Sequence, residues 1–181
     1  MKQKPLSPKE YLKNNHAKLT FETCKINDNW KETGMAAVIV PKKMPSGNFI
    51  IGSYLLDINC LGLKNTLYVF NLSEIGVEEF FEKFSYKYNL IDCDLVFAHN
   101  LIYGAIDYAD ELGFVPHPDF ALSELLLDPE LIDEGIDEIE FGKNGKPLYI
   151  SGPDDNVKKI LAQLERVCGT GNYHYIAHMF D

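Results

Sequence analysis

The sequence predicts an α+β fold: an antiparallel β-sheet, formed as a meander and extended by a later hairpin, with about three α-helices packed on it. Three features predict it. The first 72 residues are mostly β-branched and aromatic runs joined by short turns, and short turns join antiparallel neighbours because a parallel crossover needs a dozen residues or more. Residues 95–112 carry apolar side chains at helical spacing over more than half the helix circumference. Asn144-Gly145, between EIEFG and PLYIS, is the dipeptide that two-residue hairpin turns require.

Taken in order, Ser7-Pro8-Lys9-Glu10 is a capping box with proline at the first helical position, so a helix starts there and fades by Lys18. LTFETCKIN (19–27) reads as a strand and NDNWKETG (27–34) as a turn. MAAVIVPKK (35–43) is apolar enough to be central, with Pro41 expected to end or edge it because proline cannot donate to a ladder. MPSGN (44–48) turns the chain into FIIGSYLLDINCLGL (49–63), read as one long strand with a bulge or bend at Gly52, and KNTLYVFNL (64–72) follows.

Ser73 is placed to cap a helix over 77–88, whose Val77, Phe80, Phe81 and Phe84 form a core-facing stripe. Asp92 or Asp94 starts the helix 95–112, and Gly113 closes it. FVPHPDF (114–120) is a stiff connection in which Asp119 is placed to cap 121–127. The acidic stretch 128–140 reads as a surface loop, 138–151 as the hairpin, 156–168 as a helix and 173–179 as a last strand. No repeat or linker divides residues 1–181, so one domain is expected, with 1–18 as its N-terminal helix or arm.

The formal charge of −10 is unevenly spread: +5 over residues 1–70, −16 over 71–141 and +1 over 142–181. Residues 71–141 hold two lysines, Lys83 and Lys87, against eighteen acids. Arg166 is the sole arginine of the chain, so the bidentate forks that read phosphates and guanine edges are nearly missing and nucleic acid is an unfavoured partner. No apolar run is long enough for a membrane span, and the start at Met1 lacks the apolar core of a secretory signal, so a cytoplasmic protein is expected. Cys24, Cys60, Cys93 and Cys168 contain no CxxC pair and read as structural thiols of a reducing compartment.

No glycine-rich segment has the spacing of a phosphate-binding loop, and Asp154 and Asp155 in SGPDDN would repel an anion at the helix start they precede. No cofactor is therefore expected, and the spacing leaves a metal undecided. His99, Tyr103, Asp107 and Asp110 fall within about 80° on a helical wheel, and His117 and Asp119 lie in the two-proline connection. A histidine with a carboxylate in reach is the minimum for acid–base work or for metal ligation.

The blocks CLGLKNT (60–66), AHNLIYGAIDYADELGFVPHPDF (98–120) and IEFGKNGKPLYISGPDDN (139–156) resemble those of a group of small uncharacterised bacterial proteins with the same blocks in the same order. The resemblance implies a single domain from about residue 20 onward. It carries no activity, cofactor or catalytic residue. Three functions stay open. The first is a non-catalytic protein-interaction or ligand-binding domain whose acidic face meets a basic protein surface. The second is a hydrolase, with or without a metal, using His99, Asp107, His117 and Asp119. The third is single-stranded nucleic-acid binding on a sheet face carrying Lys42, Lys43 and Lys64 with Trp30, Tyr54 and Tyr68.

Overall fold

In a computed structural model describing residues 6–131 and 139–177, the meander forms the centre of a mainly antiparallel sheet. Its strands are β1 (Thr20–Phe21), β2 (Cys24–Asn27), β3 (Met35–Lys43), β4 (Phe49–Asp57), β5 (Gly62–Leu72) and β6 (Leu90–Cys93). The order across the sheet is β5-β4-β3-β2-β6, and β1 lies in line with β2 against the same strand, β3. The architecture is α+β, as the sequence predicts, with more helical segments than three.

The predicted strand 19–27 is thus broken in two, and the break explains Pro41. In an antiparallel ladder a residue's N–H and C=O point to the same side. The carbonyl of Pro41 accepts from the Glu22 amide, so its missing donor falls in the gap between β1 and β2. Pro41 therefore sits inside β3, opposite Ile51, without ending the strand. Gly52 also departs from its expected role. It pairs regularly with Val40 and Tyr68, while the irregularities of β5 pairing lie beside it. A Cβ at Gly52 would stand 2.7 Å from the Tyr54 hydroxyl, so the glycine makes room for a fully buried ring.

The boundary between the strands of 49–72 falls earlier than predicted. Asp57 Oδ1 accepts from the amides of Asn59 (3.0 Å) and Cys60 (3.1 Å), which turns the chain before Gly62. The apolar Ile58, Cys60 and Leu61 look like strand continuation, but they are the turn. Leu90–Cys93 (β6), which the sequence reading treats as connection, pairs with β2 over four residues with Ile91 and Asp92 exposed.

The helices are α1 (Pro8–Asn15), α2 (Trp30–Thr33), α3 (Glu74–Ser85), α4 (Leu95–Glu111), α5 (Phe120–Ser123) and α6 (Val157–Cys168). The Ser7 capping box forms, Ser73 caps α3 through the Gly76 amide, and Asp94 caps α4 through the Phe97 amide. Asp119 does not cap α5 with its side chain, and α5 is one turn that tightens into a 3-10 segment. Its carboxylate is turned instead toward His117.

One sheet face carries Ala36, Val38, Val40, Tyr54, Leu56 and Leu63 into a core closed by α4 and Phe120. At the other end of that face Ile50 joins Leu12 of α1 and Leu126. The opposite face is met by α3, which lies in the connection running from β5 at one edge to β6 at the other.

The expected hairpin is confined to its turn. Asn144 (φ 52°) and Gly145 (φ 72°) have the left-handed conformations of a primed turn, yet the arms meet at one bridge, Lys143 with Lys146. The chain beyond it forms β7 (Leu148–Ile150), which pairs in parallel with β8 (His174–Ile176) through the crossover α6. The hairpin thus does not extend the main sheet. The Gly142 and Leu148 amides donate to the Ile58 and Asn59 carbonyls, which docks this segment on the β4–β5 turn. Residues 132–138 of the acidic loop and 178–179 of the last predicted strand lie outside the described residues.

Gly62 seats α4 on the sheet. Its φ is +64°, and a Cβ there would lie 2.7 Å from the Ala105 carbonyl oxygen and 2.6 Å from the Ala109 Cβ. Gly62→Ala is expected to cost about 2–4 kcal/mol in urea unfolding, because backbone cannot move aside as a side-chain tip can; a loss below about 0.5 kcal/mol would contradict this packing.

Candidate functional site

The predicted histidine site does not assemble. His99 is fully buried: its Nδ1–H donates to the Leu95 carbonyl (2.7 Å) and its Nε2 accepts from the Asp128 amide (2.9 Å). Both ring nitrogens serve the backbone, leaving neither for a substrate or a metal. Burial, chiefly, holds the imidazole below its usual pKa and in its neutral form. Tyr103, one turn on, packs against Phe120, and its buried hydroxyl has no hydrogen-bond partner among the described residues. Asp107 and Asp110 are exposed on the outer side of α4.

His117 lines a different cleft, with Leu63, Lys64 and Phe114, to which His99 does not contribute. Its Nδ1 accepts from the Asp119 amide at 3.3 Å and stands 3.9 Å from the Asp119 carboxylate. Its own amide donates to the Leu63 carbonyl, tying the two-proline connection to β5. Among the described residues, no three His, Cys, Asp or Glu side chains are placed to hold a metal ion. Cys24 and Cys93 face each other across β2 and β6, and burial first, then each other's proximity and Asp94, pushes Cys24 up to about 12.

The lysine and aromatic residues do not form a stacking platform either. Trp30, Lys42 and Tyr54 are buried, and the Tyr54 hydroxyl donates to the Ser123 carbonyl at 2.7 Å. The Lys42 ammonium lies 3.8 Å from the centre of the Phe21 ring, and burial lowers its pKa to about 8.

The open surface lies on the opposite face of the sheet. Period-two alternation places Ala37, Leu55 and Asn65 in one cross-strand row and Ser53 and Leu67 in the next. Phe84, Tyr88, Lys83 and Lys87 from α3 and the turn after it close a cleft of about 280 Å³ over these rows. Phe80, Phe84 and Tyr88 stack in series; of the stripe that the sequence assigns to the core no residue is fully buried, and Phe84 lines the cleft.

A second cleft of about 670 Å³ shares Leu55, Asn65 and Lys87 with the first. It runs on to Asp57, Lys64, Ser151 and Asp155. The two adjoin along these residues as a groove with an apolar end under α3 and a polar end beside β7. Asp155 organises the polar end: it accepts from the Gly152 amide (2.8 Å), the Tyr149 hydroxyl (3.2 Å) and Lys64 Nζ (3.2 Å). Burial works against ionisation of Asp155, but the Gly152 amide and the Lys64 ammonium outweigh it and hold its pKa below the usual value. Burial raises Asp57 to about 6, against the opposing pull of its amide bonds and Lys64.

None of Asp57, Asn65, Ser151 or Asp155 is singled out as a positive site candidate by sequence. Lys64 and Asp155 are 91 positions apart, and neither belongs to a motif of known spacing. Residues of two separate segments, CLGLKNT and PLYISGPDDN, converge on this polar end. The chain has no significant match to a protein-family model, a curated protein or a solved structure.

The raised carboxyl of Asp57 fixes the sign of a pH effect. Its folded pKa of about 6 exceeds the ordinary 3.8, so between these values the native state binds more protons than the unfolded chain. Stability contributed by this group is complete below that window and falls as pH rises through it. Asp57→Asn keeps an acceptor for both amides and is expected to remove this fall, leaving stability at pH 7 at or above wild type. Asp57→Ala strands two buried amides and is expected to cost about 1–3 kcal/mol. Urea unfolding at pH 4, 5.5 and 7 compares the three; an Asn variant as pH-dependent as wild type would contradict the assignment.

Proposed function

We propose that the chain is a binding protein that holds a small, partly apolar ligand in the groove between α3 and the outer face of the sheet. The observation that carries this reading is that an apolar and a polar cleft adjoin, sharing Leu55, Asn65 and Lys87. Ligand sites are concave, mostly apolar and supplied with a few placed polar groups. The apolar end offers Ala37, Leu55, Leu67, Phe84 and Tyr88; the polar end offers Asn65, Lys64 and Asp155. The engagement of both nitrogens of His99 supports binding over hydrolysis.

The acidic exterior favours a second role, contact with a basic protein surface. Glu74, Glu78, Glu79 and Glu82 are exposed on α3, as are Asp107, Asp110 and Glu111 on α4. Among the described residues, Asp92 is the one acid of 71–131 that pairs with a lysine, at 2.6 Å from Lys25. Such contact weakens with salt, because exposed charges are screened beyond about 8 Å at physiological ionic strength.

Nile red, an uncharged dye that brightens in apolar surroundings, tests the groove. Wild type is expected to bind it saturably, and Leu55→Trp, which fills the waist of the groove, to weaken binding at least fivefold with an unchanged circular dichroism spectrum. No saturable binding by wild type, or equal binding by the folded variant, would overturn the reading.

A further inference from the structure

Lys83 and Lys87 are the two basic side chains of a stretch with eighteen acids, and both line the apolar cleft. Their position near the end of α3 complements the helix dipole, which accounts for their sign. What sets them apart is that both line the apolar cleft. Glu79 lies four residues before Lys83, the spacing at which helical ion pairs form, and Glu78 and Glu82 are close in sequence. Neither lysine comes within 4.0 Å of a carboxylate among the described residues, which most of the described lysines share. Lys87 instead lies 5.1 Å from the centre of the Tyr88 ring, at the junction of the two clefts.

Two unpaired cations at the mouth of an apolar cleft complement a ligand with one anionic end and an apolar body. The floor beneath them has no carboxylate: it is Ala37, Ser53, Leu55, Asn65, Thr66 and Leu67. Asp57 and Asp155 belong to the neighbouring cleft, where backbone amides and Lys64 already engage them. The apolar cleft alone, about 280 Å³, is at the small end of ligand pockets, which suits a short acyl or aryl chain.

We infer that the ligand of this groove is a small apolar carboxylic acid, its carboxylate held by Lys83 and Lys87 and its body laid on Ala37, Leu55 and Phe84. The inference rests on the groove being a binding site and adds the chemical class of its occupant. The acidic exterior gives the two lysines a selective role, since a carboxylate finds no other lysine on α3 or in the turn after it.

Decanoate, decanol and decyltrimethylammonium have one chain length and three head-group charges, and each can be titrated against Nile red bound to wild type. Decanoate is expected to displace the dye at concentrations at least tenfold lower than decanol, with decyltrimethylammonium weakest. The margin should shrink between 50 and 500 mM salt. In the double variant Lys83→Gln/Lys87→Gln the ratio of decanoate to decanol displacement, measured against the variant's own dye affinity, is expected to fall to about one. Equal displacement by decanoate and decanol in wild type would overturn the inference, as would an undiminished preference in the dye-binding double variant. A wild type that binds the dye without preferring decanoate removes the ligand class alone; one that binds no dye removes the groove as well.

Discussion

The carboxylate of Asp57 is the contact on which most of the arrangement hangs. By taking the amides of Asn59 and Cys60 it converts an apolar run into a turn and returns the chain as β5. The carbonyls left facing outward at Ile58 and Asn59 then receive the Gly142 and Leu148 amides, which brings the C-terminal unit against the sheet. Gly62 follows at once and lets α4 approach to backbone contact. One side chain thus sets the strand boundary, the seat of α4 and the wall of the groove. The cost is a carboxyl group kept out of water, which is why its proton affinity is raised.

The two faces of the sheet are finished differently, and the groove is the result. The inner face is closed by α1, α4, α5 and the segment after it, leaving side chains such as Tyr54, Leu101 and Ile102 without solvent contact. The outer face has α3, in which no residue is fully buried. A helix resting on aromatic rings rather than on interlocked aliphatic side chains leaves space beneath it. Lys64 and Asp155 then close the far end, where their ion pair is partly screened from solvent and supported by Tyr149 and Gly152.

Local chemistry was the legible part of this sequence. Ser7 and Ser73 cap where they were expected to, and Asp94 is the cap of the two candidates Asp92 and Asp94, because capping depends on a few neighbouring residues. The central strand and the long helix were legible from periodicity. The misread elements depend on partners distant in sequence. Pro41 is tolerated because a break lies opposite it, β6 exists because β2 offers an edge, and Leu148–Ile150 forms its pairs with β8 rather than with the other arm of its own turn. The histidines were legible as chemistry and misleading as a site. Nothing local distinguishes a ring that will bind backbone on both nitrogens from one that will face a substrate. The groove was illegible for the same reason: its floor comes from three strands, its wall from α3 and its polar end from the C-terminal unit.

The path of α3 from one edge of the sheet to the other has a mechanical meaning. A helix joined to its domain at one end swings like a door, but this one is fastened at both, to β5 on one margin and to β6 on the other. It behaves as a strap. Both of its ends are thereby tied to strands of the sheet, and Phe84 is carried over the space below.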